Sequence, residues 1–159
     1  QHDPATIGRL EDAKSAVFDS PRVRELAAEV TRRLGAQVIV HLDEPMIDLV
    51  REVRAAGVPV ALVSNSLGRD CYARVDLDEL FDVTVISGQV GVRKPSRQIY
   101  RIACERLGVD PEQCVLVDDL EHNLDGAARL DIHGIHHRTA DETIPRVRAA
   151  LGLPTQTAA

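Results

Sequence analysis

From about residue 36 onward, short apolar runs alternate with longer stretches of helical periodicity, and no other feature constrains the fold as tightly. Residues 37–42, 60–63, 83–86, 114–117 and 132–135 are rich in β-branched and other apolar side chains and are too short for buried helices. Between them, apolar residues recur at helical spacing: Met46, Leu49, Val50 and Val53 before Gly57; Ile99, Ile102 and Leu107 between Pro95 and Gly108; Ala127 and Leu130; and a last stretch over residues 144–151. Residues 69–75 read as one more helix and 77–81 as a short turn. Strands separated by helices of this length pair in parallel through right-handed crossovers. The predicted fold class is therefore α/β: a doubly wound parallel sheet with helices on both faces, over residues 36–153.

The first 35 residues follow a different pattern. Ile7, Leu10, Val17 and Phe18 lie at helical spacing, and Val23, Leu26, Ala27, Val30 and Leu34 do so again with Pro21 in the first turn, which predicts a helical hairpin beside the sheet. Residues 154–159 read as a disordered tail. At 159 residues and 44% hydrophobic, the chain can bury one core and carry one small appendage. Its 25 acidic against 19 basic residues, with arginines scattered among carboxylates, argue against a nucleic-acid partner. Cys71, Cys104 and Cys114 lack C-x-x-C spacing and read as packing residues of a reducing compartment. No apolar stretch approaches a bilayer-spanning length and no signal-peptide pattern is evident, so the expected location is cytoplasmic, with no membrane partner. The first residue is Gln1, not Met, which leads us to expect a chain that starts partway into a longer product or has lost a leader.

Function is written at the strand exits. The run 114–117 stops at two adjacent carboxylates, Asp118 and Asp119. Like charges side by side are costly unless a cation compensates them, and ligands of open α/β sheets bind at the carboxyl ends of the strands. The pair therefore suggests a hard divalent metal such as Mg²⁺, the alternative being that Asp119 caps the following helix. The run 60–63 ends in Ser64-Asn65-Ser66, where a hydroxyl and backbone N–H groups ahead of a helix suit a phosphate or carboxylate oxygen. Lys94 sits just before a helix N-terminus, where its charge opposes the helix dipole. An anionic ligand would give it a reason to be there; a solvated loop lysine is the alternative.

Taken together, Ser64 after its strand, Gly91-Val92-Arg93-Lys94-Pro95 with Ile99-Tyr100, and Val115-Leu116-Val117-Asp118-Asp119 with Asn123 and Gly126-Ala127 resemble the second, third and fourth motifs of the haloacid dehalogenase (HAD) superfamily. The resemblance covers about residues 43–152 and is closest to the branch of the haloacid dehalogenases and the phosphatase domain of soluble epoxide hydrolases. It implies a HAD-like Rossmannoid core over 36–153 and makes residues 1–35 a remnant of the helical cap. It implies catalytic roles for Ser64 and Lys94, phosphate binding by Ser64, Asn65 and Lys94, and Mg²⁺ held by Asp118 and Asp119. The implied partner is a small phosphorylated or halogenated substrate. Positioning and charge neutralisation, which these residue types supply, are most of what phosphoryl transfer requires.

The family's first motif, a strand ending in Asp-x-Asp whose first acid becomes the aspartyl-phosphate, has no counterpart in this sequence. Its strand would stand between the one ending at Ser64 and the one ending at Asp118. Asp19, after Ala16-Val17-Phe18, reads instead as a cap for the helix that Pro21 opens. Asp43, at the end of the run 37–42, is the better substitute, although Asp43-Glu44-Pro45 also makes an ordinary helix start. That run, a homodimer, or an N-terminal segment could complete the sheet. His133, His136 and His137 with Arg138 suggest a transition-metal site or, more simply, polar surface; Tyr72 and Tyr100 read as packing. Two functions follow: a HAD-like hydrolase of phosphatase or dehalogenase type acting through an aspartyl intermediate, with its nucleophile outside this chain, or an inactive HAD-like binding or regulatory module. A receiver domain uses similar residues, but in the opposite order along the chain.

Overall fold

The structure, a computed structural model, describes residues 43–154 apart from positions 67, 73 and 74. The hairpin expected over 1–35, the strand expected over 37–42, Asp19 and the tail beyond 154 lie outside the described residues. Within them the order is α1 (Glu44–Ala55), β1 (Ala61–Ser64), a 3-10 turn (Arg69–Tyr72), α2 (Leu77–Leu80), β2 (Val83–Ile86), α3 (Ser87–Val90), α4 (Arg97–Leu107), a second 3-10 turn (Pro111–Gln113), β3 (Val115–Asp118), α5 (Glu121–Ala128), β4 (His133–His136) and α6 (Ala140–Leu151).

Local chemistry explains most of these boundaries. Asp43 caps α1 by accepting the Met46 N–H at 3.4 Å, Pro45 lies in the first turn, and Leu49 and Val53, one turn apart, are buried. Ser96 caps α4, which buries Ile99, Tyr100, Ala103 and Cys104 and ends at Gly108 in the left-handed region, φ 70°. The last helix begins at Ala140 rather than 144 because Thr139 accepts the Glu142 N–H at 3.3 Å and starts the helix one turn early. Of the helix expected over 69–75, the described residues show a 3-10 turn over Arg69–Tyr72, and the turn expected over 77–81 becomes a single helical turn capped by Asp76.

Both strand pairings are parallel, as the alternation predicts. β1 pairs with β2 from Ala61↔Val83 to Ser64↔Ile86, and β3 pairs with β4 from Val115↔His133 to Asp118↔His136. The chain is mixed α/β with helices on both faces. One core cluster, including Val85, Ile99 and Ala127, gathers α4 and α5; a second, Leu49, Val53, Ile135 and Val147, gathers α1 and α6. Arg148 of α6 ties the second face together by donating from Nε and Nη2 to the two carboxylate oxygens of Glu52 at 2.9 and 2.6 Å.

Among the described residues the two pairs do not join. Among the described residues no strand lies between β1 and β3, and their facing edges border an apolar cleft of about 420 Å³. Leu62 and Leu116 line its walls, Leu49 and Val53 of α1 one face, Tyr100 and Ala103 of α4 the other. Val115, Leu116 and Val117 are accordingly only half-buried, because their inner edge faces that cleft.

Candidate active site

The carboxyl ends of β1 and β3 and the segment leading into α4 converge at one edge. Asn65, directly after β1, clamps the peptide of Lys94: its Oδ1 accepts the Lys94 N–H at 2.7 Å and its Nδ2 donates to the Lys94 carbonyl at 3.0 Å. Lys94 Nζ then lies 2.5 Å from Asp118 Oδ2, with the lysine side chain 14% and the aspartate side chain 3% exposed. The lysine placed against a helix dipole is thus directed into the site by its own backbone clamp.

Asp118 is held from every side. Its Oδ1 accepts the Leu120 N–H at 2.9 Å and Asn123 Nδ2 at 2.9 Å. Asn123 is in turn fixed by burial and by Tyr100, whose hydroxyl donates to the Asn123 carbonyl at 2.8 Å. Burial alone would raise the Asp118 carboxyl, but Lys94, Asn123 and the Leu120 N–H outweigh it and hold it below the usual range. Burial, with a smaller contribution from the Asp118 charge, raises the Tyr100 hydroxyl far above its ordinary value, so it remains a proton donor.

Two readings change at this point. The repulsion expected between the acids is relieved on one side by Lys94, since Asp118 is buried and paired while Asp119 is exposed. Asp119 does not cap α5; the N-cap position is Leu120, without a side-chain cap, and the neighbouring Asp118 takes the Leu120 N–H. The Asp119 carbonyl oxygen lies 2.9 Å from the His136 ring nitrogen Nε2.

Ser64 Oγ is hydrogen-bonded to the Tyr72 hydroxyl and lies 3.2 Å from Ser66 Oγ. Tyr72, expected as packing, is therefore a polar partner of the site; a tyrosine hydroxyl near a buried edge needs such a partner, the one signal in the sequence that pointed to it. Tyr100 packs as expected and also positions Asn123. Asp43 stands as the α1 cap, 4.0 Å from His137, whose other ring nitrogen lies 2.9 Å from Thr143 Oγ1. Among the described residues no group of three or more His, Cys, Asp or Glu side chains is arranged to hold a metal ion. The oxygen-only pair Asp118 and Asp119 suits Mg²⁺, which commonly takes one or two carboxylates and completes its shell with water and substrate phosphate.

Three acids gain from their native surroundings. The Arg148 hydrogen bond lowers the Glu52 carboxyl, and the Val60 N–H, with Arg54, lowers Asp82, as Asp118 is lowered. A carboxyl depressed in the folded state contributes stability above its unfolded value and loses it as pH falls through the folded one. The urea midpoint should therefore stay level from neutral pH down to about pH 4.5 and fall below it, as these groups take up protons. A Glu52→Gln/Asp82→Asn variant should show a shallower fall; an unchanged slope would mean that these acids do not carry the acid sensitivity.

A family model described as haloacid dehalogenase-like hydrolase matches residues 5–131. The chain belongs to the HAD-like hydrolases. It is similar to mouse acyl-CoA dehydrogenase family member 10, 30% identical over 160 residues that cover 97% of this chain and 14% of the mouse protein. It is also similar to the bifunctional riboflavin kinase/FMN phosphatase of Arabidopsis thaliana, 37% identical over 75 residues, 45% of this chain and 20% of that protein. The chain thus spans a minor part of either curated relative. A HAD-family enzyme from Bacteroides thetaiotaomicron, crystallised with magnesium and inorganic phosphate, shares the fold at TM-score 0.59 and 21% identity, over 72% of this chain and 68% of that one. In the HAD-like frame, β1, α4 and β3 are the elements that bring Ser64, Lys94 and Asp118 to one edge. Among the described residues, no helix of this HAD-like chain is long and apolar enough to cross a membrane.

Proposed function

We propose that this chain carries the phosphate- and metal-binding half of a Mg²⁺-dependent HAD-like phosphohydrolase acting on small phosphomonoesters. The observation that carries the reading is the convergence of Ser64, the clamped Lys94 and the buried Asp118 at one edge. Ser64 donates its hydroxyl proton to a phosphoryl oxygen. Lys94, oriented by Asn65, neutralises charge on the phosphoryl group as it is transferred. Asn65 acts through Lys94, since the Lys94 peptide takes both ends of its amide. Asp118 and Asp119 would hold Mg²⁺, which when bound supplies the countercharge for an anionic substrate. The paired acids favour the phosphatase over the dehalogenase, because two carboxylates beside an anionic substrate require a cation. Leu120, 47% exposed beside the acids, offers an apolar contact to the alcohol portion of the ester.

The nucleophile is a carboxylate carried by a strand seated in the cleft between β1 and β3. It attacks phosphorus, the ester oxygen departs with the bonding pair and takes up a proton, and water then cleaves the aspartyl-phosphate to inorganic phosphate and the restored carboxylate. Asp43 is the substitute nucleophile if residues 37–42 take that place. The protein acts in the cytoplasm as a soluble chain.

Thermal melting with Mg²⁺ and inorganic phosphate tests this reading. Each ligand should raise the midpoint; at one hundred times its dissociation constant it adds about 2.7 kcal/mol. Asp119→Asn should abolish the Mg²⁺ shift, and Ser64→Ala should weaken the phosphate shift. Absence of both shifts in the unaltered chain would overturn the proposal. Shifts without turnover of p-nitrophenyl phosphate would assign the chain to a HAD-like binding module.

A further inference from the structure

The spacing of the cysteines along the chain gives no sign of a functional pair, but the fold makes one. Cys104, on the buried face of α4, and Cys114, immediately before β3, bring their Sγ atoms to 3.6 Å. Both are free thiols, both line the cleft between β1 and β3, and Cys114 is half-buried while Cys104 is 5% exposed. A disulfide requires about 2.05 Å between sulfurs, and Cys114 lies in the connecting segment at the start of β3, where a small adjustment suffices.

We propose that Cys104 and Cys114 form a redox-active dithiol that closes to an intramolecular disulfide in exchange with a small-molecule disulfide such as oxidised glutathione. The more accessible Cys114 enters first. Its thiol gives up its proton to solvent, the thiolate attacks one sulfur of the oxidised glutathione, and that S–S bond breaks to release one glutathione thiolate. Cys104 then loses its proton and attacks Cys114 Sγ, displacing the second glutathione thiolate. Both departing thiolates take up the two protons, so two protein thiols and one small disulfide become one protein disulfide and two glutathiones. Burial, with the neighbouring Cys114, pushes the Cys104 thiol up to about 12, which makes it the slower, second thiol and predicts closure that accelerates with rising pH. The bridge would fix α4 to β3, the two elements whose far ends place Lys94 and Asp118.

Oxidised glutathione is added to the folded chain, the remaining thiols are counted, and the tryptic peptides are mapped. The cysteines fall in three different peptides, 70–74, 102–106 and 107–129, so each pairing is distinguishable. The expected result is a fall from three thiols to one, loss of two hydrogens in mass, and a bridge joining 102–106 to 107–129, reversed by a reducing thiol. Cys104→Ser should instead accumulate a glutathionyl group on Cys114. In denaturant the same oxidant should scatter pairings over all three cysteines, which separates a native pair from an unfolded one. Three thiols remaining in the native chain, a bridge to Cys71, or only intermolecular bridges would overturn the proposal.

Discussion

Asp118→Ala is expected to destabilise the chain by ~3–5 kcal/mol and to abolish its response to Mg²⁺. The side chain it removes is 3% exposed and answers three donors at once: Lys94 Nζ, the Leu120 N–H and Asn123 Nδ2. Each would be left at a site water reaches poorly, and an ammonium stripped of its counter-ion is the most costly of them. Asp118→Asn keeps an acceptor for Leu120 and Asn123, so it should recover part of the stability while the Mg²⁺ shift stays lost. The urea midpoints of Asp118→Ala, Lys94→Ala and the double variant complete the test. If the pair is coupled, the double variant should be less destabilised than the sum of the two single changes by about 1–3 kcal/mol. Strict additivity would mean that the Lys94–Asp118 contact does not organise the site.

Gly126→Ala is expected to destabilise by about 3 kcal/mol, although the same change in an ordinary helix stabilises by about 1 kcal/mol. Gly126 lies inside α5, and a Cβ there would stand 2.3 Å from the Pro95 carbonyl oxygen, 2.7 Å from Pro95 Cβ and 3.0 Å from the Pro95 carbonyl carbon. Two of those atoms are backbone and cannot swing aside, so α5 or the segment carrying Pro95 must shift. Because Pro95 follows Lys94, the shift should also weaken the phosphate-induced rise in melting temperature. Urea unfolding with an unchanged m-value would give the cost. A neutral or stabilising Gly126→Ala would show that helix propensity outweighs the contact, and that α5 does not seat against Pro95 closely enough to position Lys94.

Much of the fold and of the site is legible in the order of residues alone, and for a physical reason in each case. Asp43, Ser96 and Thr139 act on N–H groups within three residues, so caps and helix starts follow from neighbours in sequence. The strands 61–64, 83–86 and 115–118 fall within a residue of the apolar runs because short β-branched segments between helices have few alternatives. Ser64, Asp118 and Asp119 stand out as polar groups where strands end, the one place in such a fold where a polar cluster has work to do, and Lys94 as a cation set against a helix N-terminus. Where residue order misleads, distance is the cause. Tyr72 reads as packing until its hydroxyl meets Ser64, and Cys104 and Cys114 read as packing until two elements set them side by side.

The strands, the longer helices and the residue types at the strand exits were determined by the sequence itself, since each depends on interactions spanning a few residues. The tertiary structure alone decided that Lys94 meets Asp118 across 24 residues, that Asn65 holds Lys94 across 29, and that, among the described residues, β1 and β3 border one apolar cleft. Those contacts are set by how helices and strands pack, and packing brings together residues whose separation along the chain carries no record of it.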